Sequence, residues 1–132
     1  MDRLFLDANL LFSAAYDARS GLNRLWKLKR VQLFSSAYAV EEARVNLPEA
    51  SQRLRLRKLC KILTLVATPT APPPREISLP EKDVPIFLAA LAANATQLLT
   101  GDLRHFGPHY DKRIRGVTIL PPGDYLSRRI RE

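Results

Sequence analysis

Residues 3–13 read RLFLDANLLFS. The run at residues 3–6 is apolar with no polar alternation, the pattern of a short strand covered on both faces. Asp7 ends it, and residues 8–17, ANLLFSAAYD, have helical character. An acid and an amide, Asp7 and Asn9, therefore stand where a buried strand gives way to a helix. A strand passing directly into a helix predicts a βα unit and, if the alternation continues, a parallel sheet.

The alternation does continue. In GLNRLWKLKR (residues 21–30), Leu22, Leu25, Trp26 and Leu28 fall on roughly one helical face. VQLF (31–34) is strand-like and runs into SSAYAVEEARVNL, where Ser35 or Ser36 is the N-cap. Pro48 opens a helical stretch to about residue 61, although the alternation in RLRLRKL also fits an exposed strand. ILTLV (62–66) is strand-like. Residues 67–80, ATPTAPPPREISLP, hold five of the ten prolines. Proline cannot donate to a ladder, so this is an extended connection inside the domain. DVPIFLAALAANA (83–95) is a helix opened by Asp83 and Pro85. TQLLT (96–100) and GVTIL (116–120) are strands, and the tail after Pro122 is a short helix. Apolar strands alternating with helices predict an α/β fold whose parallel sheet is covered on both sides.

At 132 residues the chain reads as one domain, residues 1–132, able to bury a core without disulfide or structural metal. The single cysteine, Cys60, cannot form an internal bridge, which suits a reducing compartment. Apolar runs such as VPIFLAALAA fall short of the ~20 residues a membrane span needs. Asp2, Arg3 and Asp7 interrupt the N-terminal apolar stretch, so it does not read as a signal peptide. A soluble, cytoplasmic protein with no membrane association is expected. Lysine plus arginine outnumber aspartate plus glutamate by 21 to 13, a formal charge of +8. That excess attracts polyanions, with a solubility surface as the plain alternative. It gathers in RLRLRKLCK (53–61) and YLSRRIRE (125–132).

Against this basic background a few acids stand beside apolar runs. Ligands of open parallel sheets bind outside the carboxyl ends of the strands. Asp7 follows the first strand and Asp102 follows QLLTG, so both project at that edge. Asp83 opens the helix leading into QLLT, and Glu42 lies about one turn into the helix after VQLF. Singly, Asp7, Asp83 and Asp102 read as caps of helices or turns. Glu42, or its neighbour Glu41, reads as a solvated first-turn acid. Jointly they read otherwise. Two like charges ~4 Å apart repel by roughly 4 kcal/mol at an effective dielectric of 20. Converging carboxylates therefore need protons or a cation. Mg²⁺ and Mn²⁺ prefer oxygen ligands. Such an ion activates water and bridges a phosphate oxygen, as phosphodiester hydrolysis requires.

The order of LFLDANLLFSAA, SAYAVEEARVNL, KDVPIFLAALAANATQLLTGD and LRHFG resembles the PIN domain (PilT N-terminal domain) family, over about residues 3–106 with a final strand to follow. The resemblance implies a three-layer α/β/α PIN-like domain with a central, mostly parallel sheet. It implies a Mg²⁺- or Mn²⁺-dependent endoribonuclease, as in the VapC-like toxins of toxin–antitoxin pairs. Carried over by motif, Asp7, Glu42, Asp83 and Asp102 are the catalytic, metal-binding acids, with Glu41 the fallback for Glu42. Asn9 and Thr100 are their polar companions, orienting a carboxylate or a bound water. RNA is the implied substrate and an antitoxin protein the implied partner. A homodimer is also implied, through apolar helix surface such as that near Leu22, Leu25 and Trp26. One departure is His105, which stands where some relatives carry a further acid. A site with fewer acids holds one metal firmly, or a second only with substrate present. Lacking metal-ligand spacing, His105 and His109 read as loop histidines.

Two rival readings remain. The DxN after an apolar strand also resembles haloacid-dehalogenase-like phosphatases, but their second aspartate is here Asn9. The non-enzymatic alternative is a catalytically weak or inactive PIN-like module that binds nucleic acid or protein.

Overall fold

The first strand, β1 (Asp2–Leu6), leaves Leu4, Phe5 and Leu6 with no exposed surface, as an unbroken apolar run demands of a central strand. This computed structural model describes residues 1–130. The other strands are β2 (Val31–Ser36), β3 (Thr64–Val66), β4 (Gln97–Leu99), β5 (Arg113–Ile114) and β6 (Val117–Leu120). The helices are α1 (Ala8–Tyr16), α2 (Ala37–Asn46), α3 (Ala50–Cys60), α4 (Val84–Ala92) and α5 (Pro122–Ile130). The strands form one sheet in the order β3-β2-β1-β4-β6-β5, parallel throughout except for the antiparallel β5–β6 pair.

The chain winds outward from β1 to β2 and β3, then crosses back to place β4 on the other flank of β1. Right-handed crossovers put helices of the two directions on opposite faces. That gives the expected three-layer α/β/α architecture with a mostly parallel sheet. On one face α1 packs against α2 and α3. Phe87 of α4, Phe5 and Phe106 are fully buried in the core. No helix among the described residues is long and apolar enough to cross a membrane.

Local chemistry explains most boundaries. Ser36 ends β2 and caps α2, its side chain accepting from Ala39 N at 3.2 Å. Ser35, the other candidate cap, instead donates its hydroxyl to Leu6 O at 2.8 Å. Removing the cap in Ser36→Ala is expected to cost about 1 kcal/mol. Thermal denaturation should show the melting temperature falling by roughly 3–5 °C. The proline-rich stretch forms no strand and is tied down by buried Ile77 and by His109 Nε2, 3.0 Å from Ser78 O.

Several expectations need correction. Residues Gly21–Lys27 form a 3-10 helix rather than an α-helix. Leu25 in it is fully buried, Leu22 packs on the core, and Trp26 Nε1 donates to Leu59 O at 3.1 Å. Leu22 and Trp26 nonetheless remain half-buried, so part of their apolar surface faces outward. The helical stretch expected after Pro48 is borne out as α3, and its strand alternative falls away. Strand β5 was not read from the sequence. It exists because Arg115 and Gly116, both at positive φ (51° and 88°), make a two-residue turn into β6.

Three arginines also serve the fold. Arg55 Nε donates to Ala15 O at 2.9 Å, Arg53 Nη1 to Leu47 O at 2.8 Å, and Arg3 Nη2 to Ala93 O at 2.7 Å. Each guanidinium thus satisfies carbonyls at the C-terminal end of a helix, where cations are favoured. These charges serve the fold, which reduces what the net excess says about polyanions.

Candidate metal centre

Register assembles the first part of the site. Leu6 pairs with Leu99, so the next residues along, Asp7 and Thr100, lie side by side where β1 and β4 end. Here the winding direction reverses, and crevices at such points are where parallel sheets bind ligands. The fully buried Thr100 hydroxyl donates to Asp7 Oδ2 at 2.8 Å and accepts from Asp102 N at 3.1 Å. Asn9 Nδ2 donates to Asp7 Oδ2 at 3.2 Å, while Asn9 Oδ1 accepts from Gly101 N at 2.8 Å. Asp7 Oδ1 accepts from Ala8 N at 2.6 Å, capping α1. Both oxygens of Asp7 are thus engaged. Asn9 and Thr100 hold its carboxylate and join the two strand ends.

Asp83, Asp102 and His105 form the second part. Each offers one ligand atom, and the three atoms lie within 4.8 Å of one another. Asp102 Oδ1 accepts from His105 N at 3.1 Å, closing a turn, and Asp102 Oδ2 lies 3.0 Å from His105 Nδ1. The same ring nitrogen is 3.0 Å from Asp83 Oδ2. That nitrogen pairs with Asp102, which leaves the buried Asp83 Oδ2 in an ion-pair contact with the imidazole rather than in a well-formed hydrogen bond. Asp83 also stands at the N-cap position of α4 without making a side-chain cap. The capping reading accounts for Asp7 and, as a turn, for Asp102. It does not account for Asp83. A buried carboxylate oxygen beside a second carboxylate and an imidazole fits a divalent cation.

The remaining acids divide. Glu41 is exposed and bound to Arg44, with Glu41 Oε1 2.6 Å from Nη2. Glu42 lines a groove of about 340 Å³ with Ala8, Asn9, Phe12, Ala43 and Asn46. Among the described residues, neither Asp7 nor Glu42 joins a ligand group as tight as the one around Asp83.

The electrostatics follow from burial. Desolvation pushes Asp7 up from 3.8 to about 6, opposed by hydrogen bonds from Thr100 and Ala8 and reinforced by the charges of Glu42 and Asp83. Burial likewise raises Asp83, with Asp102 adding to the rise and Lys82 and His105 opposing it. Two tyrosines flank the acids. Tyr38 donates to Lys82 O at 2.7 Å and Tyr110 to Thr100 O at 2.8 Å. Burial raises both phenols, with further contributions from Glu42 and Asp83 at Tyr38 and from Asp102 at Tyr110.

The sequence reading took His105 for a loop histidine and did not single out Tyr38 or Tyr110. Asp102 and His105 are three residues apart, a spacing that one tight turn brings to the same side. That signal was available. The approach of Asp83 was not, because the long proline-rich connection decides where α4 begins.

The sequence matches no protein-family model and, at a significant level, no curated protein. Its fold does have a solved counterpart. A chain from the crystal structure of VapBC2 from Rickettsia felis bound to a DNA fragment from their promoter superposes with a TM-score of 0.65 at 15% identity. The match covers 90% of this chain and 98% of that one.

Proposed function

We propose that the chain is a single PIN-like domain, residues 1–132, and a divalent-metal-dependent endoribonuclease. The observation that carries this reading is the convergence of Asp83 and Asp102 on one point, with the buried Oδ2 of Asp83 met by the His105 ring. It lies close to the strand-end crevice in which Asp7 is held by Asn9 and Thr100. In the proposed division of labour, Asp83 and Asp102 hold Mg²⁺ or Mn²⁺, with Asp7 and Glu42 completing the acidic cleft. A cation bound there supplies an activated water and neutralises charge on a phosphate oxygen. The protein's residues supply the rest: Thr100 and Asn9 fix the Asp7 carboxylate, and the groove beside Glu42 offers room for a strand of RNA.

The likeness to a VapBC2 chain supports a toxin-like role with an antitoxin as protein partner, and the motif resemblance adds a homodimer. A cytoplasmic address follows from the same reading. The test is cleavage of a mixed RNA pool by the purified protein with Mn²⁺ or Mg²⁺. Cleavage should disappear with EDTA and return when the cation is restored in excess. RNA binding without cleavage under any cation would replace this reading by that of a binding module.

A further inference from the structure

We propose that His105 is itself a cation ligand, through Nδ1, and that it turns the site toward Mn²⁺ over Mg²⁺. The inference rests on the cation site proposed above and concerns which cation that site selects. His105 Nδ1 lies 3.0 Å from the Oδ2 of Asp83 and 3.0 Å from the Oδ2 of Asp102. Neighbouring ligands around an octahedral cation with bonds of roughly 2.1 Å are separated by about 3 Å. Three donors converge here, and one of them, Asp83 Oδ2, is buried with no hydrogen-bond partner.

The ring is placed in advance. Its backbone N–H is held by Asp102 Oδ1 at 3.1 Å, and Phe106 N donates to Asp102 O at 3.0 Å. The adjoining Phe106 side chain is fully buried and anchors the turn. A side chain so fixed meets a cation with little entropy left to lose. In the bound form Nδ1 presents its lone pair and the ring proton resides on Nε2.

The donor set determines the preference. Carboxylates suit both Mg²⁺ and Mn²⁺, whereas imidazole is a ligand of first-row transition cations, of which Mn²⁺ binds most weakly, and adds still less for Mg²⁺, which is bound by oxygen and releases its waters reluctantly. An imidazole among two carboxylates thus raises Mn²⁺ affinity selectively. The competing role is that of an ion-pairing side chain, in which His105 neutralises the two acids and leaves when a cation enters.

The experiment uses the full chain loaded with Mn²⁺. Pulsed electron paramagnetic resonance should show nitrogen coupling from a directly bound imidazole, and competition titration should give the Mn²⁺-to-Mg²⁺ affinity ratio. His105→Asn should abolish the imidazole coupling and weaken Mn²⁺ at least about tenfold, the low end of the loss even for an outer partner of a ligand. His105→Asp, an all-carboxylate site, should move the ratio toward Mg²⁺, and melting curves report whether each variant is folded. Bound Mn²⁺ without imidazole coupling, or an unchanged ratio in His105→Asp, would overturn this assignment and leave the cation site standing. Failure of the native protein to bind Mn²⁺ at all would overturn both.

Discussion

Asp83→Asn is expected to lower divalent-cation-dependent RNA cleavage by about 10²–10³-fold or more, the scale for losing one group that stabilises charge in a transition state, without lowering the melting temperature. The two halves of this prediction come from different facts. The first follows from the proposed role of Asp83 in holding the cation. The second follows from its small structural task, since it makes no cap to α4 and its one ion-pair contact is with the His105 ring. Burial already disfavours its charged form, so a neutral isostere relieves a cost. Parallel cleavage assays and melting curves on the purified variant check both halves. Lost cleavage with an unchanged or raised melting temperature is the signature of a residue retained for function at the expense of stability. A variant that melts early and still cleaves in proportion to its folded fraction would contradict the assignment.

Asp7 carries the second large effect, in the pH dependence of stability. Its folded-state value is pushed up to about 6 from an ordinary 3.8, chiefly by burial. Between those values the folded chain holds a proton that the unfolded chain has released. Stability from this group therefore falls as pH rises through that window and stays low above it. About two pH units at ~1.4 kcal/mol each amount to a cost on the order of 3 kcal/mol at neutral pH. Asp7→Asn removes the charge but exchanges an acceptor for a donor, so one of three hydrogen bonds is lost, worth about 1 kcal/mol. The net expectation is a variant more stable than the native protein near pH 7 by roughly 1–2 kcal/mol. That advantage should vanish near pH 4. Urea denaturation across this range, without added cation, reads the crossing directly. Equal offsets at both ends would show that Asp7 does not titrate in this window. Because cation ligands must be ionised, saturating Mn²⁺ should stabilise the native protein more at pH 7 than at pH 5.

The elements differ in how legible they were, and for one reason. A serine N-cap at Ser35 or Ser36, the β1–α1 junction at Asp7 and the proline connection each depend on chemistry within a few residues of chain. So does the parallel sheet, since apolar runs covered on both faces have few other places to go. The two-residue turn at Arg115 and Gly116 was missed because arginine at positive φ announces nothing. The arginines of RLRLRKLCK read as a polyanion surface, yet Arg53 and Arg55 close helix ends elsewhere in the fold. Their partners are backbone carbonyls, which leave no mark in a sequence.

By itself, then, the sequence determined the α/β class, the strand ends that carry Asp7 and Asp102, and the helix that Asp83 opens. Local propensity and burial pattern act over single elements, and these features lie within single elements. Only the tertiary structure decided that Leu25 turns inward and Trp26 bonds to Leu59, that Glu41 is taken by Arg44 while Glu42 lines the groove, and that Asp83 meets Asp102 across the imidazole of His105. Those meetings depend on how separate elements pack and where a long connection delivers the chain, and no run of neighbouring residues encodes that.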